Sequence, residues 1–505
     1  MSDTYRFTRR SFLAAAATAA GGAALASCST KGSSVGPDNA IAAAEARRPH
    51  SGRTVSATLT AESTRVDLGG RVARSLAYNG TAPGPLLRAS VGDEVAVTVR
   101  NRLPRTTSVH WHGIAMRNDM DGAAPATPDI AAGTDFTYRF SVPHPGTYWA
   151  HPHTGLDADT GLYFPVIVDD PRDPGDYDAE WIVMLDDWTD GVGSSPAQIF
   201  DGLRTAMSPG HDMSGSNDMP DMETGTVEGV GGTSKSALLG GDSGDVSYPY
   251  YLVNGRVVDA PSVFRAKPGQ RVRIRIINAA SDTAFRVAVA GHQLTVTHTD
   301  GFPVEPTDVD AVLIGMGERY DVRLTAGDGA FALVALAEGK NAMARALLVT
   351  GAGDPPPADL QPPELKGRVA TVGDFTATTA AALVPAAADV RLPVDLAGSM
   401  SPYEWTINGL PFSRTAPLQV RSGQRVEMTF NNTSTMWHPM HLHGHTFEVL
   451  TADGRPGARK DTAIVLPAQR LRVAFVADNP GQWMLHCHNT YHQDAGMMTR
   501  LDYTG

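Results

Sequence analysis

Cysteine is nearly absent from this 505-residue chain: Cys28 and Cys487 are the only two. So few exclude the disulfide framework of a small secreted domain, and the fold must be held by its core. Long apolar runs are missing too, since the one alanine-rich stretch, ending at Leu25, is too short and too weakly apolar to span a bilayer. Basic charge is scarce: 42 Lys and Arg stand against 54 Asp and Glu, a formal net charge of -12. That balance argues against a nucleic-acid partner and reads as a solubilising surface. Glycine and proline are plentiful, 51 and 35 residues, which suits short strands joined by turns. A chain this long holds about three domains.

The N-terminus has the layout of an export signal. Thr8-Arg9-Arg10-Ser11-Phe12-Leu13 and the apolar run behind it resemble a twin-arginine signal, which exports proteins already folded. Leu25-Ala26-Ser27-Cys28 resembles a bacterial lipobox, in which the cysteine is lipidated and becomes the mature N-terminus. Residues 1–28 are therefore read as the leader and 29–50, rich in Gly, Ser and Ala, as a flexible tether. The expected location is the cell envelope or periplasm, with Cys28 anchored to the outer face of the cytoplasmic membrane.

One pattern occurs three times. Asn79-Gly80, Asn254-Gly255 and Asn408-Gly409 each precede a run in which apolar and polar residues alternate, the period of a half-buried strand. Each run places Asn nine residues after Gly: Gly92 and Asn101, Gly269 and Asn278, Gly423 and Asn432. Such a repeat predicts an all-β protein of three Greek-key sandwiches. The offsets continue: nine residues past Asn101 is His110, nine past Asn432 is His441, and nine past Asn278 is Val287. Five past Gly146 and Gly481 stand His151 and His486, whereas five past Gly329 stands Val334. The outer modules are thus expected to carry metal and the middle one none.

Four His-X-His pairs result: His110 and His112, His151 and His153, His441 and His443, His486 and His488. On a strand both imidazoles of a pair point to one face. If the first and third modules face each other, eight imidazoles converge, enough for two copper ions with three histidines each and one with two. Imidazole suits copper, and a thiolate neighbour favours copper over zinc. That thiolate is Cys487, with His492 and Met497 five and ten residues on. Two histidines, a cysteine and a weak axial methionine make a blue-copper electron-transfer site. His438, three residues before His441, is placed to complete it. Because His486 and His488 flank Cys487 on the opposite strand face, the string joins two metal centres.

Thr107-Ser108-Val109-His110-Trp111-His112-Gly113, Tyr148-Trp149-Ala150-His151-Pro152-His153, His438-Pro439-Met440-His441-Leu442-His443-Gly444 and His486-Cys487-His488 through Met497 resemble the four copper-binding segments of the multicopper oxidases. The likeness extends to the exported copper-resistance members of mycobacteria and other actinobacteria. It implies three cupredoxin domains, over 51–172, 173–352 and 367–505, with a Pro-rich linker at 353–366. It also implies four copper ions: type 1 at His438, Cys487, His492 and Met497; type 2 at His110 and His441. The type 3 pair would take His112, His151 and His488 on one ion and His153, His443 and His486 on the other. The implied reaction couples four one-electron oxidations to reduction of O2 to water. Asp121 matches the family's acidic residue near the cluster; where many bacterial members carry Glu after the type 1 histidine, this chain has Gln493, and Asp494 is the candidate to replace it.

The middle module is interrupted at about 204–246 by an insertion holding Met207, His211, Met213, Met219 and Met222 and lacking apolar periodicity. Thioethers select Cu(I). The insertion and Met436 are accordingly candidate contacts for Cu(I) as substrate. The expected function is oxidation of Cu(I) in copper tolerance, with phenols as further donors, by a monomer. The alternatives are a laccase-type oxidase of organic donors and a copper-sequestering lipoprotein without turnover.

Overall fold

The computed structural model describes residues 37–173, 175–206, 230, 235–451 and 454–504. Cys28, Met207, His211, Met213, Met219 and Met222 lie outside these.

The three Asn-Gly pairs are two-residue hairpin turns. Asn79, Asn254 and Asn408 take φ of 53°, 52° and 53°, and the glycines after them 77°, 71° and 76°. Asn-Gly tolerates positive φ at both positions, as a turn matched to the strand twist requires. Each Asn also locks its turn to a neighbouring strand, Oδ1 accepting from the N–H of Thr60, Met184 or Asp395 at 2.7, 2.7 and 2.8 Å. The strand-ending asparagines repeat as faithfully. Asn101, Asn278 and Asn432 each donate Nδ2 to at least two backbone carbonyls, among them Ile130, Ile314 and Val465. Each accepts from the N–H two residues on. This buried amide bridge fixes where the next strand begins, which explains why the histidine offsets are conserved between modules.

Three β-sandwiches follow, as expected. The first packs a four-stranded sheet (Thr54–Asp67, Val72–Tyr78, Glu94–Asn101, Asp135–Ser141) against another of four (Leu87–Ser90, His110–His112, Gly146–His151, Phe164–Asp169). The second has two six-stranded sheets, and the third a six-stranded sheet against a five-stranded one. In each, the first long strand runs parallel to the strand of the repeat: Thr54–Asp67 beside Glu94–Asn101, Ala179–Trp188 beside Arg271–Asn278, Val390–Met400 beside Arg425–Asn432. Helices are few among the described residues: α1 (Pro37–Ala46), α2 (Pro196–Ala206) and α3 (Thr490–Asp494) are the α-helical ones. None is long and apolar enough to cross a membrane.

Register explains the silent middle module. His110 lies opposite His151, and His441 opposite His486, while Val287 lies opposite Ala335. The apolar match to His151 is therefore Ala335, one residue beyond the position counted from Gly329.

Three boundaries differ from expectation. The described part of the tether, from residue 37, opens with α1 and is bonded to the body: Glu45 in α1 accepts from Ser141 N, and Arg48 just after it donates to Ala115 O and Asn479 Oδ1. Its alanines favour a helix, which composition alone read as flexible. The Pro-rich linker is no free connection, because Leu365 is buried against Ala288, Ala311 and Val334. Val369–Ala370 then adds a short parallel strand to Ala311–Val312, so the second sandwich extends past residue 367. Within the insertion, 204–206 complete α2 and 235–246 are packed, with Leu239 and Val246 in the core.

One arginine ties the sandwiches together. Arg319, fully buried in the second, donates to Thr147 O of the first at 3.0 Å and to both carboxylate oxygens of Asp461 in the third at 2.7 and 2.6 Å.

Candidate metal centre

Strands His110–His112 and Gly146–His151 of the first sandwich and His438–Leu442 and Gln482–Cys487 of the third bring the four His-X-His pairs together. All the histidines of these pairs except the half-buried His153 are at most 5% exposed. Burial and mutual repulsion hold His151, His443, His486 and His488 well below the ordinary imidazole value, so each keeps a lone pair free for a metal.

The hydrogen bonds decide which nitrogen is free. Nδ1–H of His110 donates to Asp121 O, of His151 to Pro152 O, of His441 to Asp461 O, of His443 to Asp121 Oδ2 and of His486 to Cys487 O, at 2.8–2.9 Å. An oxygen on one ring nitrogen fixes the tautomer and aims the other at a metal. The Nε2 atoms meet accordingly: His110 and His441 at 3.4 Å, His153 and His486 at 3.4 Å, His443 and His486 at 3.0 Å. His112 is reversed. Its Nε2 contacts Asp461 Oδ1 and Thr462 Oγ1 at 3.1 Å, leaving Nδ1 buried without a partner. His151 Nε2 and both nitrogens of His488 are buried orphans as well. Unpartnered buried nitrogens are costly, and three imidazoles with such atoms around the Trp149 ring are what an ion would satisfy.

The second grouping has mixed donors. Cys487 Sγ stands 3.6 Å from Nδ1 of both His438 and His492, and those nitrogens are 3.2 Å apart. Met497 is fully buried, its carbonyl accepting from Cys487 N at 3.0 Å. His438 Nε2 meets Ser434 Oγ at 2.8 Å and His492 Nε2 meets Asp245 Oδ2 at 3.1 Å, so both rings turn Nδ1 toward the sulfur. The residues present therefore fit copper: a thiolate, two imidazoles and a thioether here, and imidazoles alone in the larger cluster.

The acids divide. Asp121, 1% exposed, bonds His443 and lies 3.4 Å from His110 Nδ1. Asp494 is exposed at the end of α3, within electrostatic range of Arg204, and bonds no histidine among the described residues. The short helix carries it outward past His492, away from the histidine cluster. Met436 is 1% exposed in the third core and is a packing residue, not a solvent-facing contact; the Asn432 bridge to its carbonyl draws it inward. Sequence reasoning missed Asp461, which supports His112 and His441, and Asp245, which supports His492. Neither lies near a histidine in sequence, and no spacing marks them.

A three-sandwich fold with a blue-type grouping joined through one strand to a histidine cluster defines a copper-dependent oxidoreductase, and this chain belongs to the multicopper oxidase family. Three multicopper oxidase family models match residues 60–173, 179–353 and 387–504. The chain is 61% identical to multicopper oxidase MmcO of Mycobacterium tuberculosis, over 99% of this chain and 97% of that protein. It is 29% identical to a copper resistance protein A homologue of Pseudomonas syringae pv. tomato, covering 88% and 91% of the two. Among solved structures it is similar to Fet3p, a multicopper oxidase that functions in iron import (TM-score 0.73, 21% identity, 89% of this chain and 90% of that one). A laccase from Botrytis aclada superposes with a TM-score of 0.67 at 25% identity, covering 90% and 88%.

Gly317 offers a local test. It has φ of +82°, and a Cβ there would fall 2.8 Å from His112 Cε1 and 2.9 Å from His488 Cδ2. Gly317→Ala is expected to part these rings and lower the bound copper measured by elemental analysis; wild-type copper content would contradict this placement.

Proposed function

We propose that this protein oxidises Cu(I) to Cu(II) in copper tolerance, with phenols as further donors and dioxygen as acceptor. The copper ions are assigned as one type 1 at His438, Cys487, His492 and Met497, one type 2 at His110 and His441, and a type 3 pair at His112, His151 and His488 and at His153, His443 and His486. Copper held by these residues would supply one-electron oxidation of the donor and four-electron reduction of dioxygen to water. The chain's own residues do the rest. The Cys487 backbone joins His486 and His488 directly, giving a covalent bridge between the two groupings. Asp121 holds His443 and His110 in their tautomers and is assigned the place of the acid expected beside the cluster. The leader is assigned to export and Cys28 to lipid attachment, with the protein acting as a monomer in the cell envelope.

One observation carries the Cu(I) reading: both described flanks of the Met-rich insertion pack beside α3, the helix that carries His492. Before it, α2 places Phe200 against Tyr491 and Tyr403, ring centroids 6.4 and 6.3 Å away. After it, the packed segment from Lys235 carries Asp245 to His492 Nε2. A methionine-bearing insertion whose described flanks lie beside the helix of the electron-entry histidine suits the capture of a soft cation.

Replacing Met207, Met213, Met219 and Met222 together by Ser is expected to lower kcat/KM for Cu(I) roughly tenfold or more, as lost metal-site support does, with phenol oxidation retained. Loss of neither activity overturns the copper-capture role, and equal loss of both favours the organic-donor reading. Copper-loaded protein that consumes no oxygen with either donor would leave only sequestration.

A further inference from the structure

The second sandwich supplies none of the assigned copper ligands, yet it holds a buried ion pair aimed at the third. Lys340 Nζ meets Asp282 Oδ2 at 2.6 Å, with side chains 2% and 0% exposed. Lys340 also donates to Val246 O and Thr283 Oγ1 at 2.8 and 2.9 Å. Asp282 is itself held, because Asp187 accepts from the N–H of Ser281 and Asp282 at 2.8 and 3.1 Å.

Asp282 divides its oxygens between two targets. Oδ1 accepts from Asn489 Nδ2 at 2.7 Å and from Asp245 N at 3.1 Å, and Oδ2 accepts from Val246 N at 3.1 Å. Asn489 is the N-cap of α3, its own Oδ1 accepting from Tyr491 N and His492 N at 3.0 and 3.1 Å. Asp245 is the residue whose Oδ2 bonds His492 Nε2, and Tyr403 O–H steadies that same oxygen at 2.7 Å. One carboxylate therefore holds His492 from both ends: the helix that carries the ring and the acid that bonds its outer nitrogen. Gly244 is needed for this approach, since a Cβ there would overlap Asp282 Oδ2.

We propose that the Asp282–Lys340 pair is a positioning device for the type 1 site, setting the orientation of His492 and the spacing of its Nδ1 from Cys487 Sγ. The proposal rests on reading His438, Cys487, His492 and Met497 as a copper site. The physical case is that a buried ion pair contributes little net stability against an apolar replacement, whereas removing one partner leaves the other uncompensated. Fixing geometry is a use such a pair serves, and metal sites depend on the partners that orient their ligands. Asp282 and Lys340 touch no assigned ligand, so they act through Asn489 and Asp245.

The test compares Asp282→Asn, Lys340→Met and Asn489→Ser with Arg273→Met. Asn489→Ser keeps an N-capping oxygen but loses the amide donor to Asp282. Arg273→Met breaks another buried pair of the same sandwich, Arg273 with Asp321 at 2.5 Å, in a network that also includes Arg275 and has no bond to α3 or to Asp245. In copper-free protein, the first three variants are expected to speed amide hydrogen exchange at Tyr491 and His492 roughly tenfold. In copper-loaded protein they are expected to shift the type 1 reduction potential and copper hyperfine splitting, and to lower kcat/KM for the donor on the order of tenfold. Arg273→Met is expected to cost stability while leaving the exchange rate, potential and splitting as in wild type. The proposal is overturned if Asp282→Asn and Asn489→Ser keep wild-type exchange, potential and splitting, or if Arg273→Met moves them as far. Wild-type protein that binds copper without the blue thiolate absorption would refute the copper assignment instead, and the exchange rates would still judge the clamp.

Discussion

Cys487→Ser is expected to remove oxygen consumption and the blue absorption together while the protein still folds. Cys487 is fully buried, opposite Met440 in the sheet, with both Nδ1 atoms 3.6 Å from its sulfur. A thiolate is a soft, readily ionised ligand, and a serine hydroxyl is neither. The substitution removes the ligand that distinguishes this grouping and the junction to His486 and His488. Loss of a partner that merely supports a metal ligand costs about 10–100-fold in affinity or activity, so loss of the ligand itself should exceed that with Cu(I) and with phenol alike. The structural cost is smaller, about 1–3 kcal/mol for a buried hydroxyl without a partner. Oxygen-electrode rates beside far-ultraviolet circular dichroism measure both, and substantial turnover in this variant would refute the assigned electron path.

Arg319→Met should produce the largest loss of stability. The guanidinium is fully buried and makes one set of bonds across three sandwiches: Thr147 O, Gly317 O and the Asp461 carboxylate. Burial would lower its pKa, but Asp461 and Asp300 raise it above the ordinary guanidinium value. Asp461 is reciprocally held well below the carboxylate range: burial opposes its charge and Arg319 more than offsets this. Removing one member of such a pair costs about 3–5 kcal/mol, because the other charge stays buried and unpaired. The damage should also reach the metal centre, since Asp461 supports His112 Nε2 and His441 Nδ1. Arg319→Lys should recover little, as an ammonium cannot supply the bidentate fork. Denaturant unfolding and copper content test this; wild-type values of both would show that the three sandwiches do not depend on this residue.

Much of the fold was legible because its local rules repeat. Asn-Gly turns, alternating strands and strand-ending asparagines at fixed spacing depend on near neighbours, and each performs the same hydrogen bonding three times. The His-X-His pairs were legible for the same reason. Asp494 misled because two residues along α3 carry it about half a turn from His492 and into solvent, and Met436 because a residue two positions from His438 was read as a Cu(I) contact whereas it is buried in the core. The tether misled because alanine suits both a flexible composition and a helix, and contacts distant in sequence, Glu45 with Ser141 and Arg48 with Asn479, decide between them.

The chain's own sequence determined that this is an all-β protein of three related modules, which of them bear histidines, and that Cys487 lies between two histidines. Those are properties of turn chemistry, strand period and spacing, and they operate within a few residues. Only the tertiary structure decided which nitrogen of each imidazole is free, that Asp461 and Asp245 stand behind histidines of the two groupings, that the segment after the insertion reaches His492 through Asp245, and that Asp282 of the second sandwich bonds the N-cap of α3. These depend on residues brought together from far apart in the chain, where burial makes each unpaired polar group costly, and no local pattern records such pairings.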